Sequence, residues 1–224
     1  MILQTISLII VLINTIICWY SYIKQIKSLR WITKTTFCLF LALYTYLMLG
    51  SQSINFIIGL LLSALGDYML LYEGNTTRFS IGASSFLIAH INFSYGFNSV
   101  YLNENATANI LCYIVIFLPL IASIVLSQIS KSGKIGFLEV GCFVYMSFVS
   151  LGMYHSFKTL TDPSWNIYAA LMSCGGYFSF FISDVFVSYS VLVKDSWLIS
   201  LMIIVTYHIA QFGIIFGIVL NTSI

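Results

Sequence analysis

The chain reads as an all-α membrane protein, a bundle of about eight transmembrane helices, on three observations. Of its 224 residues 60% are hydrophobic and only 7% charged, with a mean hydropathy of +0.99. Soluble domains carry about 25% charged residues, so the polar side chains here are too few to coat a globule in water. Apolar runs close to the ~20 residues that span a bilayer recur along the whole length. The lysines and arginines gather in alternate breaks between those runs.

Taken in order, the first run, 2–23, lacks a basic segment ahead of it and is too long for a signal-peptide core, which predicts a retained span. The second and third, 35–51 and 54–73, are divided by the tight turn Gly50-Ser51-Gln52-Ser53. The fourth is 79–101. The fifth, 109–128, contains Pro119 and should kink there. The sixth is 136–157, the seventh, 165–190, is long enough to tilt, and the eighth is 197–220. Loops are short, so 1–224 is expected to be one polytopic membrane domain.

Orientation follows from charge. Lys24, Lys27, Arg30 and Lys34 fall in the first break, Arg78 in the third, Lys131 and Lys134 in the fifth and Lys194 in the seventh; Lys158 alone falls in an even-numbered one. Cytosolic loops carry the basic excess, so both termini are expected on the non-cytosolic side. The sequons at Asn105 and Asn221 fall on that side, and Asn75 on the other.

Several chemistries are excluded or unsupported. Cys18, Cys38, Cys112, Cys142 and Cys174 are odd in number, lie in apolar runs and lack CxxC spacing, which argues against a disulfide framework or zinc site. No basic stripe tracks nucleic acid. GxSxG, HExxH and Gly-rich phosphate loops are missing. No metal or cofactor is called for.

Two acids stand out. Asp67 lies in Leu65-Gly66-Asp67-Tyr68 and Asp184 in Ile182-Ser183-Asp184-Val185, each inside an apolar run. An ionisable group at membrane depth costs ~3 kcal/mol on insertion scales and is a functional hypothesis by default. Ser63 precedes Asp67 by four residues and shares its helical face, and Gly66 permits close approach of another helix. Asp184 has Ser183 beside it, Ser188 at i+4 and Tyr177 two turns back on the same side. Neither span contains Lys or Arg, so no salt-bridge partner is expected. Two carboxyls sharing a low-dielectric site do not both ionise readily, and one should keep its proton near neutrality.

At ~1.5 Å per residue, Asp67, Asp184 and Glu139 fall in the cytosolic half, with His90, Tyr207, His208 and Gln211 nearer the midplane. A single cavity open to the cytosolic leaflet is expected to collect them; His155 lies at the opposite face. Glu139 reads either as a third acid or as an interfacial residue close to Lys134. Asp67–Tyr72 echoes Asp184–Tyr189, and Ala89-His90 echoes Ala210-Gln211 four spans later, which suggests a 4+4 parallel repeat. The residues by themselves leave three classes open: a hydrolase working by acid catalysis, an intramembrane aspartyl protease, and a proton-coupled transporter or non-catalytic lipid-binding protein.

In order along the chain, Gly66-Asp67, then Gly82, Phe86 and Ala89-His90, then Gly176, Phe180 and Ser183-Asp184, then Tyr207, Ala210 and Gln211, resemble the motif set of the YhhN family, the lysoplasmalogenases. Two positions depart from that pattern: a Lys-Pro reads Lys34-Thr35, and a Tyr after Ala-His reads Phe93. The resemblance implies a multi-pass membrane hydrolase that cleaves the vinyl ether bond of lysoplasmalogens, releasing a fatty aldehyde and glycerophosphoethanolamine or glycerophosphocholine. It implies Asp67 and Asp184 as the catalytic acids, no cofactor, and a single-chain ether phospholipid, drawn from the membrane, as the partner.

Overall fold

The computed structural model describes residues 2–72, 75–103 and 107–223. Asn105, one of the three sequon asparagines, lies outside the described residues. The helices are α1 (Ile2–Ile23), α2 (Lys27–Leu49), α3 (Ile54–Leu70), α4 (Thr76–Gly96), α5 (Ile110–Gln128), α6 (Phe137–Lys158), α7 (Ile167–Leu192) and α8 (Trp197–Ser223), and no strand occurs among the described residues. Six segments are long and apolar enough to cross a membrane; α2, a 3-10 turn at Gly50–Ser53 and α3 count as one, Lys27–Leu70. The polar content of α4, with Arg78, His90, Asn92 and four serines, keeps it off that set. These segments mark a multi-pass membrane protein.

The helices group into two compact units, Met1–Gly96 and Phe97–Ile224. In the first, α1 packs on α2, α2 on α3 and α3 on α4. The expected start of the second span at 35 is corrected: α2 begins at Lys27, leaving Lys24, Gln25 and Ile26 as the connection, with Gln25 at φ 58°. Hydropathy puts a charged turn outside the bilayer, but Lys and Arg are good helix formers. Arg30 also has work to do there: its Nε donates to the Ser21 carbonyl at 3.3 Å, covering acceptors left open at the end of α1. Further along, Gln4 Nε2 donates to the Leu47 carbonyl at 2.8 Å and Asn14 Nδ2 to Thr36 Oγ1 at 2.7 Å.

Helices α3 and α4 interlock through glycine and aromatic rings. Phe93 fills the space over Gly59, Phe56 that over Gly96, and Phe86 that over Gly66; Phe56 and Phe93 stack at 5.9 Å. Gly66 and Gly82 also approach each other's backbones, so a Cβ on Gly66 would lie 3.1 Å from the Gly82 carbonyl oxygen. Asn75 caps α4, its Oδ1 accepting from the Arg78 N–H at 2.9 Å.

In the second unit α5 packs on α6, α6 on α7, and α7 on α8. Asn109 and Asn166 cap α5 and α7. Asp162 gathers the loop before α7, accepting from the Asn103 N–H at 2.6 Å and the Ser164 N–H at 2.8 Å. Asn221 sits in the last turns of α8, where its Oδ1 accepts from the Asn166 N–H at 2.9 Å. Helices α7 and α8 approach closely along much of their length: a Cβ on Gly176 would lie 2.5 Å from the Ile214 nitrogen, and one on Gly213 2.6 Å from the Gly176 Cα. Without side chains at those points the two backbones touch, the close packing that small residues allow between membrane helices.

Candidate functional site

Asp67 lies in the last turn of α3 and is 1% exposed, nearer the helix end than the sequence placed it because α3 stops at Leu70. A carboxylate at that end meets the negative pole of the helix dipole as well as a low dielectric. Both penalties are met by a cation: Lys34 Nζ of α2 stands 3.3 Å from Asp67 Oδ1. The expectation that no salt bridge would reach Asp67 is therefore corrected. The partner comes from another helix, and the early start of α2 carries Lys34 two turns inside it rather than leaving it in a loop.

The pair is almost dry, with side-chain exposures of 12% for Lys34 and 2% for Asp67. Cys18 and Tyr22 lie within electrostatic reach of it. Ser63, one turn before Asp67, is fully buried. Gly66 forms the crossing with α4, which sets the acid next to the tightest point of the α3–α4 contact. His90 is buried on the same face of α4 as Phe86 and Phe93. The antiparallel register of those rings sets His90 nearer the turn of Ser63 than that of Asp67.

Asp184 lies two turns inside α7 and is 5% exposed. Its Oδ1 accepts a hydrogen bond from the Tyr145 hydroxyl of α6 at 3.1 Å. Tyr177 and Cys142 lie within electrostatic reach of the same carboxyl. Tyr177 is fully buried against Phe97 and Phe180, and its hydroxyl occupies the space that a side chain at Gly152 would fill. Ser183 turns away from the acid and ties α7 to α8, its Oγ donating to the Ile203 carbonyl at 3.1 Å. Tyr207 stacks edge-on against Phe180 at 5.6 Å, while His208 and Gln211 are fully buried in α8.

Glu139 does something else. Its Oε2 accepts from the Gly136 N–H at 3.0 Å, and its Oε1 from the Ser130 and Ser132 hydroxyls, both at 2.6 Å. Both oxygens are engaged in closing the turn that starts α6, the reciprocal arm of a capping box. Of its two sequence readings, the structure gives it this anchoring place.

The first unit thus brings Ser63, Gly66 and His90 into one buried interface with Asp67, and the second gathers Tyr177, Ser183, Tyr207, His208 and Gln211 around the helices that carry Asp184. Sequence reasoning missed Lys34 and Tyr145. Lys34 had a usable signal, since a basic residue eight positions into a helix-forming stretch needs an anion. Tyr145 had none, being one aromatic residue in an apolar run. Chemically, an ammonium-held carboxylate is an anion that can stabilise positive charge or take a proton. A carboxyl that accepts from the Tyr145 hydroxyl is oriented by it.

No curated protein and no solved structure gives a significant match to this chain. The sequence profile of the YhhN family matches residues 29–218, a stretch that starts just before Arg30 and holds Lys34, both acids and the whole of α3 to α7. The chain belongs to the YhhN family.

Proposed function

We propose that the protein is a lysoplasmalogenase-like hydrolase that splits the vinyl ether bond of lysoplasmalogens into a fatty aldehyde and glycerophosphoethanolamine or glycerophosphocholine. The observation that carries this reading is that each unit of a YhhN-family chain buries one aspartate among apolar helices. Vinyl ether hydrolysis needs a proton donor and a base, and it needs no metal.

One carboxyl adds its proton to the alkene carbon remote from oxygen, and the π pair becomes the new C–H bond. The resulting oxocarbenium ion is stabilised by the other, anionic carboxylate, much as in glycoside hydrolysis. Water bonds to the cationic carbon while that carboxylate takes its proton, giving a hemiacetal. Collapse then breaks the bond from carbon to the glycerol oxygen. The second carboxyl returns its proton to that oxygen, the first recovers one from the hemiacetal hydroxyl, and both acids are reset.

The same reading has the helices cross the membrane eight times, with both termini on the non-cytosolic side, in an endoplasmic reticulum membrane or a bacterial inner membrane. The division of the chain after Gly96, between α4 and α5, is where a 4+4 repeat would divide it. The test is mass spectrometry of purified protein incubated with choline and ethanolamine lysoplasmalogens. Aldehyde release in detergent, where no gradient exists, separates hydrolysis from transport or simple lipid binding. Loss of release in both Asp67→Asn and Asp184→Asn, with membrane insertion intact, is the expected outcome; wild-type release from either would end the proposal.

A further inference from the structure

All five basic residues of the first unit fall at one end of it: Lys24, Lys27, Arg30 and Lys34 around the start of α2, and Arg78 in the first turn of α4. Two are engaged inside the protein. Arg30 donates to the Ser21 carbonyl and lies over the Tyr22 ring at 4.7 Å, and Lys34 holds Asp67. Arg78 and Lys27 take part in no ion pair among the described residues. Glu73, the acid of the turn before α4, lies outside the described residues.

Arg78 is set in an aromatic corner. Its guanidinium lies 3.4 Å over the Tyr72 ring, and a guanidinium stacked by its face keeps its N–H donors at the edge. Trp31 meets Tyr72 edge-on at 4.7 Å and Tyr68 at 6.3 Å, and the Tyr68 and Tyr72 hydroxyls hydrogen-bond at 2.8 Å. Two hydroxyls joined by one hydrogen bond use one of their two hydrogens, so one O–H remains to donate. The exposed Lys27 lies one turn before Trp31 on the same face of α2. With centroids 4.7–6.3 Å apart, the three rings pack on one another and leave no cage for a quaternary ammonium. What the corner offers is donors and positive charge, which suit an anion.

We infer that this corner seats the phosphate of the lipid substrate, with Arg78 as its fork, a tyrosine hydroxyl as second donor and Lys27 as a nearby charge. The identity of the lipid rests on the vinyl ether reading; the seat itself lies wholly within the first unit. Trp, Tyr and basic side chains mark headgroup depth at a membrane surface, where a lipid phosphate resides. Tyr72 follows Asp67 by five residues, ~7.5 Å at helical rise. A three-carbon glycerol backbone covers that separation, so a phosphate in the corner sets the ether oxygen level with Asp67.

Binding tests this without turnover. A saturated 1-O-alkyl lysophospholipid keeps the headgroup and ether oxygen of the substrate but has no vinyl bond to cleave, and 1-O-alkylglycerol lacks the phosphate. Native mass spectrometry of the purified full-length protein in detergent, titrated with each, gives both Kd values. The wild type should bind the phosphate-bearing lipid roughly tenfold more tightly, as one hydrogen bond to a charged group provides. Arg78→Gln should erase most of that preference and leave alkylglycerol binding unchanged. Tyr68→Phe and Tyr72→Phe should each keep it, since one hydroxyl hydrogen survives in either, whereas the double variant should lose part of it. Equal wild-type Kd values for the two lipids, an unchanged preference in Arg78→Gln, or displacement of the lipid by equimolar inorganic phosphate would overturn the assignment. So would a preference that emerges only in Glu73→Gln, which would show that this acid occupies Arg78 in the native chain. If Arg78→Gln fails to fold, the double tyrosine variant and Arg78→Lys, which keeps the charge but loses the fork and should weaken the preference, carry the test. Aldehyde release is measured separately: a wild type that releases none removes the vinyl ether reading, while the lipid preference alone decides the phosphate seat.

Discussion

The two units bury an aspartate on the third of their four helices, yet they hold it by different means. In the first, the residue before the acid, Gly66, lies at the point where α3 crosses α4, and Lys34 neutralises the carboxylate. In the second, the residue before the acid, Ser183, hydrogen-bonds to α8, and the closest helix crossing, at Gly176, is two turns away. Asp184 accepts from the Tyr145 hydroxyl of α6. A short sequence echo, small residue then Asp, thus conceals two unlike sets of contacts, an ion pair to α2 in one unit and a phenol of α6 in the other. Residue-pattern symmetry does not carry over into the contacts that hold the two acids.

The comparison is tested most severely by activity. Replacing Asp67 or Asp184 with Asn removes one of the two proposed reacting carboxyls, and general acid–base catalysis contributes roughly 10²–10⁴-fold, so kcat for aldehyde release should fall by that order. Wild-type release from either variant would break the two-acid reading.

Stability gives the next largest effect. Lys34→Met leaves Asp67 buried without its cation, and breaking one side of a buried ion pair costs about 3–5 kcal/mol. Lys34→Arg keeps the charge and should cost clearly less; thermal unfolding in detergent reads both. Equal losses from the two would show that the site needs the shape of lysine rather than its charge.

Glycine substitutions sharpen the packing side of the contrast. A Cβ at Gly176 would meet the α8 backbone at Ile214 N and Gly213 C, which cannot move without shifting the helix. A Cβ at Gly66 would first meet the edge of the Phe86 ring, which can turn aside. Gly176→Ala should therefore cost toward the upper end of the ~1–3 kcal/mol typical of overpacking, and Gly66→Ala toward the lower end. The same unfolding assay ranks them, and a reversed order would mean that the α7–α8 contact is the looser one.

The smallest effect is expected from Tyr145→Phe, which removes one hydrogen bond and keeps the ring. About 1 kcal/mol of stability should be lost. Its effect on kcat should exceed its effect on KM, because the hydroxyl orients a proposed reacting acid. An equal change in both would place Tyr145 in substrate binding instead.

Much of this was legible in the residues. Composition, apolar run length and the ordered motifs around Asp67, His90, Asp184 and Gln211 led to an all-helical membrane protein of the YhhN family. What escaped was partnership across helices. Hydropathy reads a lysine as a boundary, so Lys34 went to a loop, although the early start of α2 buries it against Asp67. Tyr145 could not be singled out because a phenol in an apolar helix looks the same whether or not it meets an acid. Glu139 was ambiguous in sequence, and the hydroxyls of Ser130 and Ser132 that engage it come from a loop whose path only the fold defines.

The turn Gly50–Ser53 joins α2 to α3 with four residues, so the helices bearing Lys34 and Asp67 leave the ribosome as neighbours in a single hairpin. Threaded into a bilayer one at a time, each would carry a bare charge at ~3 kcal/mol. Delivered as a folded pair, they enter with the ammonium and carboxylate already joined and the net charge cancelled. The chemistry of the acid and the biogenesis of the first unit therefore share one salt link, and a lengthened turn that lets the two helices part should retain the chain at the translocation machinery before it can act on any lipid.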